Sequence, residues 1–185
     1  MKKALMTKEN WSLLNACRAD KSECREALKN INITDQHVEA TNGRIVVRFK
    51  IEALSLPNME TGVYKVISAA KYDKMFFELI LEHDPEAQFP DTKKIFPENA
   101  TAGAMRTFEI LPERTAKQSI SGAIIYLYQL TGNGYSAANL AKVAKLSAYW
   151  KVYNQGKDKA VYMLAMENSA PEVLITPFKL EFANE

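Results

Sequence analysis

The sequence predicts an α+β protein built from two helix-plus-three-antiparallel-strand halves with a middle insertion. Two observations predict it. A helical apolar spacing near the start gives way to strict alternation, and the same succession returns near the end. A third, a proline-bracketed crossing between them, marks where the plan is interrupted. The halves are 1–67 and 119–185, the insertion is 68–118, and together they form a single domain.

Thr7 can cap a helix whose inward face holds Trp11, Leu14 and Cys17 and which runs to about Arg18. Asp20-Lys21-Ser22 breaks the pattern, and 23–28 adds a short turn. Ile31 and Ile33 then alternate with Asn30, Asn32 and Thr34 as a strand. Val38 and Ala40 lead into Asn42-Gly43, a dipeptide suited to a tight hairpin because both residues tolerate positive φ. Ile45, Val47 and Phe49 are the returning strand. Residues 63–67 read as a further strand. Tyr72, Met75, Phe76, Leu79 and Ile80 are spaced as the inward face of a helix over 70–81, stopped before Asp84-Pro85.

In Phe89-Pro90-Asp91-Thr92-Lys93-Lys94-Ile95-Phe96-Pro97 each proline fixes its own φ near about −65° and pushes the residue before it toward an extended conformation. The segment is a stiff crossing. A strand is expected over 105–110, and the apolar window 123–128 reads as a buried strand. Ser136 caps a helix through Ser147 with Leu140, Val143, Ala144 and Leu146 on its apolar face. Three strands follow at 149–153, 161–166 and 173–176, and 181–185 is expected to fray.

Composition is that of an ordinary globular protein of 185 residues, and the net charge of +2 announces no nucleic-acid partner by itself. The apolar run after Met1-Lys2-Lys3 is too short for a signal peptide, and no stretch reaches the length of a membrane span. Cys17 and Cys24 lack the histidines of a zinc site and read as reduced thiols of a cytoplasmic protein.

No catalytic constellation is visible. His37 and His83 have no partner at metal or triad spacing, and the scattered glycines form no phosphate loop. Glu78, Glu82, Asp84 and Glu86 read as a solvated acidic face around a helix end. The expectation is a non-enzyme with no metal and no cofactor.

Four stretches resemble the bacterial DNA polymerase III beta sliding clamp, in patches over 28–177. The proline crossing resembles its Phe-Pro-Asp-Tyr … Ile/Leu-Pro connection, with Thr92 in place of Tyr. Glu39-Ala40-Thr41-Asn42-Gly43-Arg44-Ile45 resembles its Ala-Thr-Asp-Gly-His-Arg-Leu strand-turn-strand, with Asn42 replacing Asp and the His missing. Asn139-Leu140-Ala141-Lys142-Val143-Ala144-Lys145-Leu146-Ser147 is similar to the helix that follows the crossing, and Ser169-Ala170-Pro171-Glu172-Val173-Leu174-Ile175 to the approach to the last strand. A clamp would place more strand before the Phe-Pro-Asp motif.

The resemblance implies sheets outside, helices inside, and a non-catalytic accessory or processivity factor that holds duplex DNA by its backbone. Lys142, Lys145, Lys151, Lys8, Arg18 and Arg44 would supply a sparse positive track to phosphates. The same lysines equally serve to keep a helix face soluble. Leu174, Pro177 and Phe178 would lie near an apolar groove that tethers replication or repair proteins, or simply complete the core. Rings of this family use six domains, so a chain of about one implies a homo-oligomer. The alternative is a protein- or peptide-binding module that keeps the fold without encircling DNA.

Overall fold

The computed structural model describes residues 1–55, 59–96, 105–109, 116–144, 149–155, 159–166 and 171–177. The chain divides into two compact units, Met1–Lys93 and Lys94–Glu185.

The first unit opens with strand β1 (Lys2–Thr7), which runs directly into helix α1 (Lys8–Cys17). Thr7 makes the junction, its Oγ1 accepting from the Asn10 backbone N–H at 3.3 Å and so satisfying one of the helix's orphan donors. The helix buries Trp11, Leu13, Leu14 and Cys17 and packs on β1 and on three later strands. These are β3 (His37–Thr41), β4 (Ile45–Lys50) and β7 (Phe76–Asp84). Met6, Val38, Val47, Phe49, Leu79 and Leu81 are fully enclosed in this unit. Removing each such side chain from water stabilises the fold by roughly 1.5–3 kcal/mol.

Strand β2 (Ile31–Ile33) precedes β3, and β3 returns into β4 through a hairpin where the sequence places it, although the register centres the turn on Gly43-Arg44, with Asn42 opposite Ile45. Gly43 sits at φ +84°, and Asn42 Oδ1 accepts from the backbone N–H groups of Arg44 and Ile45 at 3.0 and 3.1 Å. After β5 (Leu54–Ser55), strand β6 (Gly62–Lys71) turns back into β7. Described strands of this unit lie in the order β5-β1-β7-β6-β2-β3-β4, every pairing antiparallel.

The second unit contains β8 (Met105–Glu109), α2 (Ala116–Thr131), α3 (Ala137–Ala144), β9 (Tyr149–Tyr153), β10 (Val161–Ala165) and β11 (Glu172–Ile175). Its strands run β8-β9-β10-β11, again antiparallel. Each unit therefore contains a strand, a helical segment and three strands. Among the described residues the first unit adds β5 and a hairpin. In the second unit the strand before the helices pairs directly with the first strand after them, β8 with β9. In the first unit the β6-β7 hairpin is wedged between β1 and β2.

Three expectations are corrected. Residues 70–81 are not a helix: they close the β6-β7 hairpin, whose turn is fixed by Asp73 Oδ1 accepting from the Met75 and Phe76 backbone N–H groups at 2.7 and 2.8 Å. Residues 123–128 are not a strand but the middle of α2, where Ala123 and Leu127, four apart, are buried and Ile125 is 57% exposed. Residues 2–7 are a strand that the sequence reading leaves out. The α+β class, α1, the hairpin, α3 as far as Ala144 and the last three strands stand where the sequence places them; the expected continuation through Ser147 and the frayed 181–185 lie outside the described residues.

Candidate functional site

The cations expected to form a track stand on separate elements. Lys8 is exposed at the start of α1, its backbone N–H donating to the Met75 carbonyl at 2.8 Å. Arg18 is half-buried at the other end of α1, with its guanidinium carbon 5.7 Å from the centre of the Trp11 ring. Its Nε and Nη1 are shut from solvent without a hydrogen-bond partner among the described residues, and burial pushes its pKa below the usual arginine value. A phosphate reaches those two nitrogens only if the side chain leaves the indole. Arg44 is exposed at the tip of the β3-β4 hairpin.

Lys142 is half-buried in the last turn of α3. Lys151 lies on β9 between the fully buried Trp150 and Val152, so alternation puts it on the opposite sheet face, with Tyr153 and Tyr162. Phe96 meets Tyr162 of that pair edge-on at 6.1 Å. Lys151 is thus a sheet residue and does not continue a row along α3. Lys145 and Phe178 lie outside the described residues. Leu174 is 1% exposed, cross-strand from Tyr162, and Pro177 is half-buried just after β11.

The acidic face lies on a strand and not at a helix end. Glu78 and Asp84 belong to β7, where Lys3 reaches Glu78 at 3.3 Å and Lys65 reaches Asp84 at 3.1 Å. His83, also on β7, stacks its ring 4.9 Å from that of Tyr64, with Nδ1 3.9 Å from a Glu60 oxygen. Among the described residues no group of three His, Cys, Asp or Glu side chains is placed to hold a metal ion.

A polar clasp is the feature that sequence reasoning missed. Glu39, 2% exposed on β3, accepts through Oε2 from Asn32 Nδ2 at 3.1 Å and from Thr92 Oγ1 at 2.8 Å. Thr92 is itself 3% exposed and begins a single 3-10 turn, Thr92–Lys94, within the proline crossing. The bond spans 53 residues and ties the crossing to the sheet. One signal was available: Glu39 falls in the strand pattern among buried neighbours, directly opposite Asn32 on β2 and Arg48 on β4. A carboxyl there needs donors.

The hairpin strand and the crossing are two of the stretches that carry the resemblance noted above, and solved structures bear it out at the level of architecture. The DNA polymerase sliding clamp of Pseudomonas aeruginosa matches 97% of this chain with a TM-score of 0.62 at 11% identity. This chain has the sliding-clamp fold. DNA polymerase III subunit beta of Borrelia burgdorferi matches with a TM-score of 0.61 at 10% identity, again over 97% of the chain. The Helicobacter pylori beta clamp bound to a DNA ligase peptide gives 0.59 and 12% over the same share. The clamp-fold chain covers 66%, 65% and 67% of these three, so it spans about two thirds of their length. No protein-family model matches the sequence. No curated protein matches it by sequence.

Proposed function

We propose that this chain is a non-catalytic, clamp-like accessory protein that contacts the backbone of duplex DNA and tethers partner proteins. The observation that carries the reading is the sliding-clamp fold over 97% of the chain. Lys8 and Lys142, on α1 and α3, supply phosphate contacts that need no base reading. Lys145 and Arg44 extend them; Arg18 joins only if its guanidinium leaves Trp11, and Lys151 contributes from the sheet and not from the helix row. Encirclement by a chain two thirds the length of its structural neighbours requires assembly, and a homo-oligomer belongs to this reading.

Fluorescence anisotropy with labelled duplex DNA across a salt series tests it. Binding should weaken steeply with salt and be abolished by the Lys142→Glu, Lys145→Glu double variant. Salt-independent binding, or binding that survives both reversals, sinks the DNA reading. Light scattering with and without duplex DNA tests assembly: a monomer under both conditions rules out a ring.

A second reading, a clamp-fold protein-binding module without DNA encirclement, is favoured by one observation. The exposed positions of α2 include Gly122, Ile125, Tyr128 and Gln129, which carry no charge for phosphates.

A further inference from the structure

We propose that the first unit carries a binding groove for an extended peptide rich in basic and apolar residues. The groove lies at the end of β3 away from the Asn42-Gly43 turn. It is distinct from the strand that holds Leu174, which belongs to the second unit.

Two cavities, about 600 and about 440 Å³, share Thr34 and Thr61 and meet there. The smaller one is walled by Ile33, Ile51, Leu54 and Met59, an apolar socket with Asp35 and Glu52 on its border. The larger one has Val63, Phe89 and Pro90 for apolar wall and Asp84, Asp91 and Lys93 for charge. Four carboxyl groups thus face one lysine along the pair. Asp84 is engaged by Lys65, and Asp35, Glu52 and Asp91 all lie at exposed positions, Asp91 with an interaction of its own. Such a lining repels a phosphate backbone and favours arginine or lysine side chains. The chain as a whole carries +2, so attraction of a basic ligand here is local and not a property of overall charge.

The walls are prepared for an occupant. The Thr92 bond to Glu39 pins the crossing to the sheet, and Pro90 stiffens it, so ordering the groove adds little to the cost of binding. At the floor Gly62 sits at φ +143°, and a Cβ there would come within 2.5 Å of His83 Nε2. Glycine lets the imidazole lie against the strand and keeps the floor low. An extended peptide presents alternate side chains to one wall, so an apolar residue can enter the socket while a basic neighbour meets the carboxyl groups.

The test uses the full chain and a fluorescein-labelled nonapeptide of alternating leucine and arginine, with a leucine and glutamate peptide as counterpart. The basic peptide should bind and the acidic one should not. Asp35→Lys with Glu52→Lys should weaken the basic peptide about tenfold, and Asp91→Lys should weaken it independently. Melting by circular dichroism identifies any variant that fails to fold, in which case the other variant decides. Equal binding of both peptides overturns the proposal, as does unchanged affinity in a folded charge-reversed variant. Competition by duplex DNA for the bound peptide would overturn the choice of occupant.

Discussion

At the residue scale, polar side chains near chain reversals define local structure and titrate accordingly. Glu23 accepts from Arg25 Nε at 2.9 Å and from its backbone N–H at 3.1 Å, and Arg25 Nη2 donates to the second carboxyl oxygen at 3.0 Å. These bonds hold its carboxyl at about 2, against an ordinary 4.5. Because the folded value is depressed, the contribution is fully present above the ordinary value and is lost as pH falls through about 2. A carbon-detected NMR titration should place the Glu23 midpoint there, and a midpoint near the ordinary value would show the bracket does not form in solution. Thr92→Val keeps the shape of the clasp but takes a donor from buried Glu39, and should lower stability by about 1–3 kcal/mol in urea denaturation. Arg18→Met should do the opposite. It retains packing on Trp11 while removing two unpaired nitrogens, for a gain of about 1 kcal/mol.

At the scale of elements, what the sequence made legible was what local chemistry decides. The Thr7 cap, the alternation around Ile31 and Val38 and the Asn42-Gly43 turn each specify a conformation without help from distant residues. Of the two misread segments, one holds such punctuation in Asp73, which the helical spacing around it masked, and the other holds none. Met75, Phe76, Leu79 and Ile80 satisfy helical spacing, yet β7 is a strand because β1 and β6 flank it on both sides. The run around Ile125 is short and apolar enough for a strand, and only its place inside sixteen helical residues settles it. The clasp was legible only in part: a carboxyl at Glu39 could be seen to need donors, but its bond to Thr92 depends on the return of the chain. Gly62→Ala tests how far an element depends on one backbone angle. It should reduce stability by about 1–3 kcal/mol, and the loss should persist in a His83→Ala background because the positive φ remains. Full rescue by His83→Ala would assign the effect to the imidazole contact alone.

At the scale of the whole molecule, the chain consists of two units that each possess a core. The first encloses Met6, Leu14, Val38, Phe49 and Leu79. Residues 1–93 expressed alone should therefore melt cooperatively by circular dichroism, and a broad, featureless melt would mean that this core is insufficient. The hairpin wedged into that unit has a consequence for how the protein is made. Lys2 pairs with Leu81 and Thr7 with Phe76, so β1 finds its longer pairing only at the far end of the unit's sequence, its short contact with β5 aside. The β6-β7 hairpin closes locally through Asp73, whereas β1 must close a loop of some seventy residues. On the ribosome β1 emerges before the other strands of its unit, and its edge toward β7 waits unpaired until β7 has followed it. A mutation that slows hairpin closure would lengthen the time for which a nascent apolar strand stands exposed, and its effect would be seen in yield before it was seen in stability.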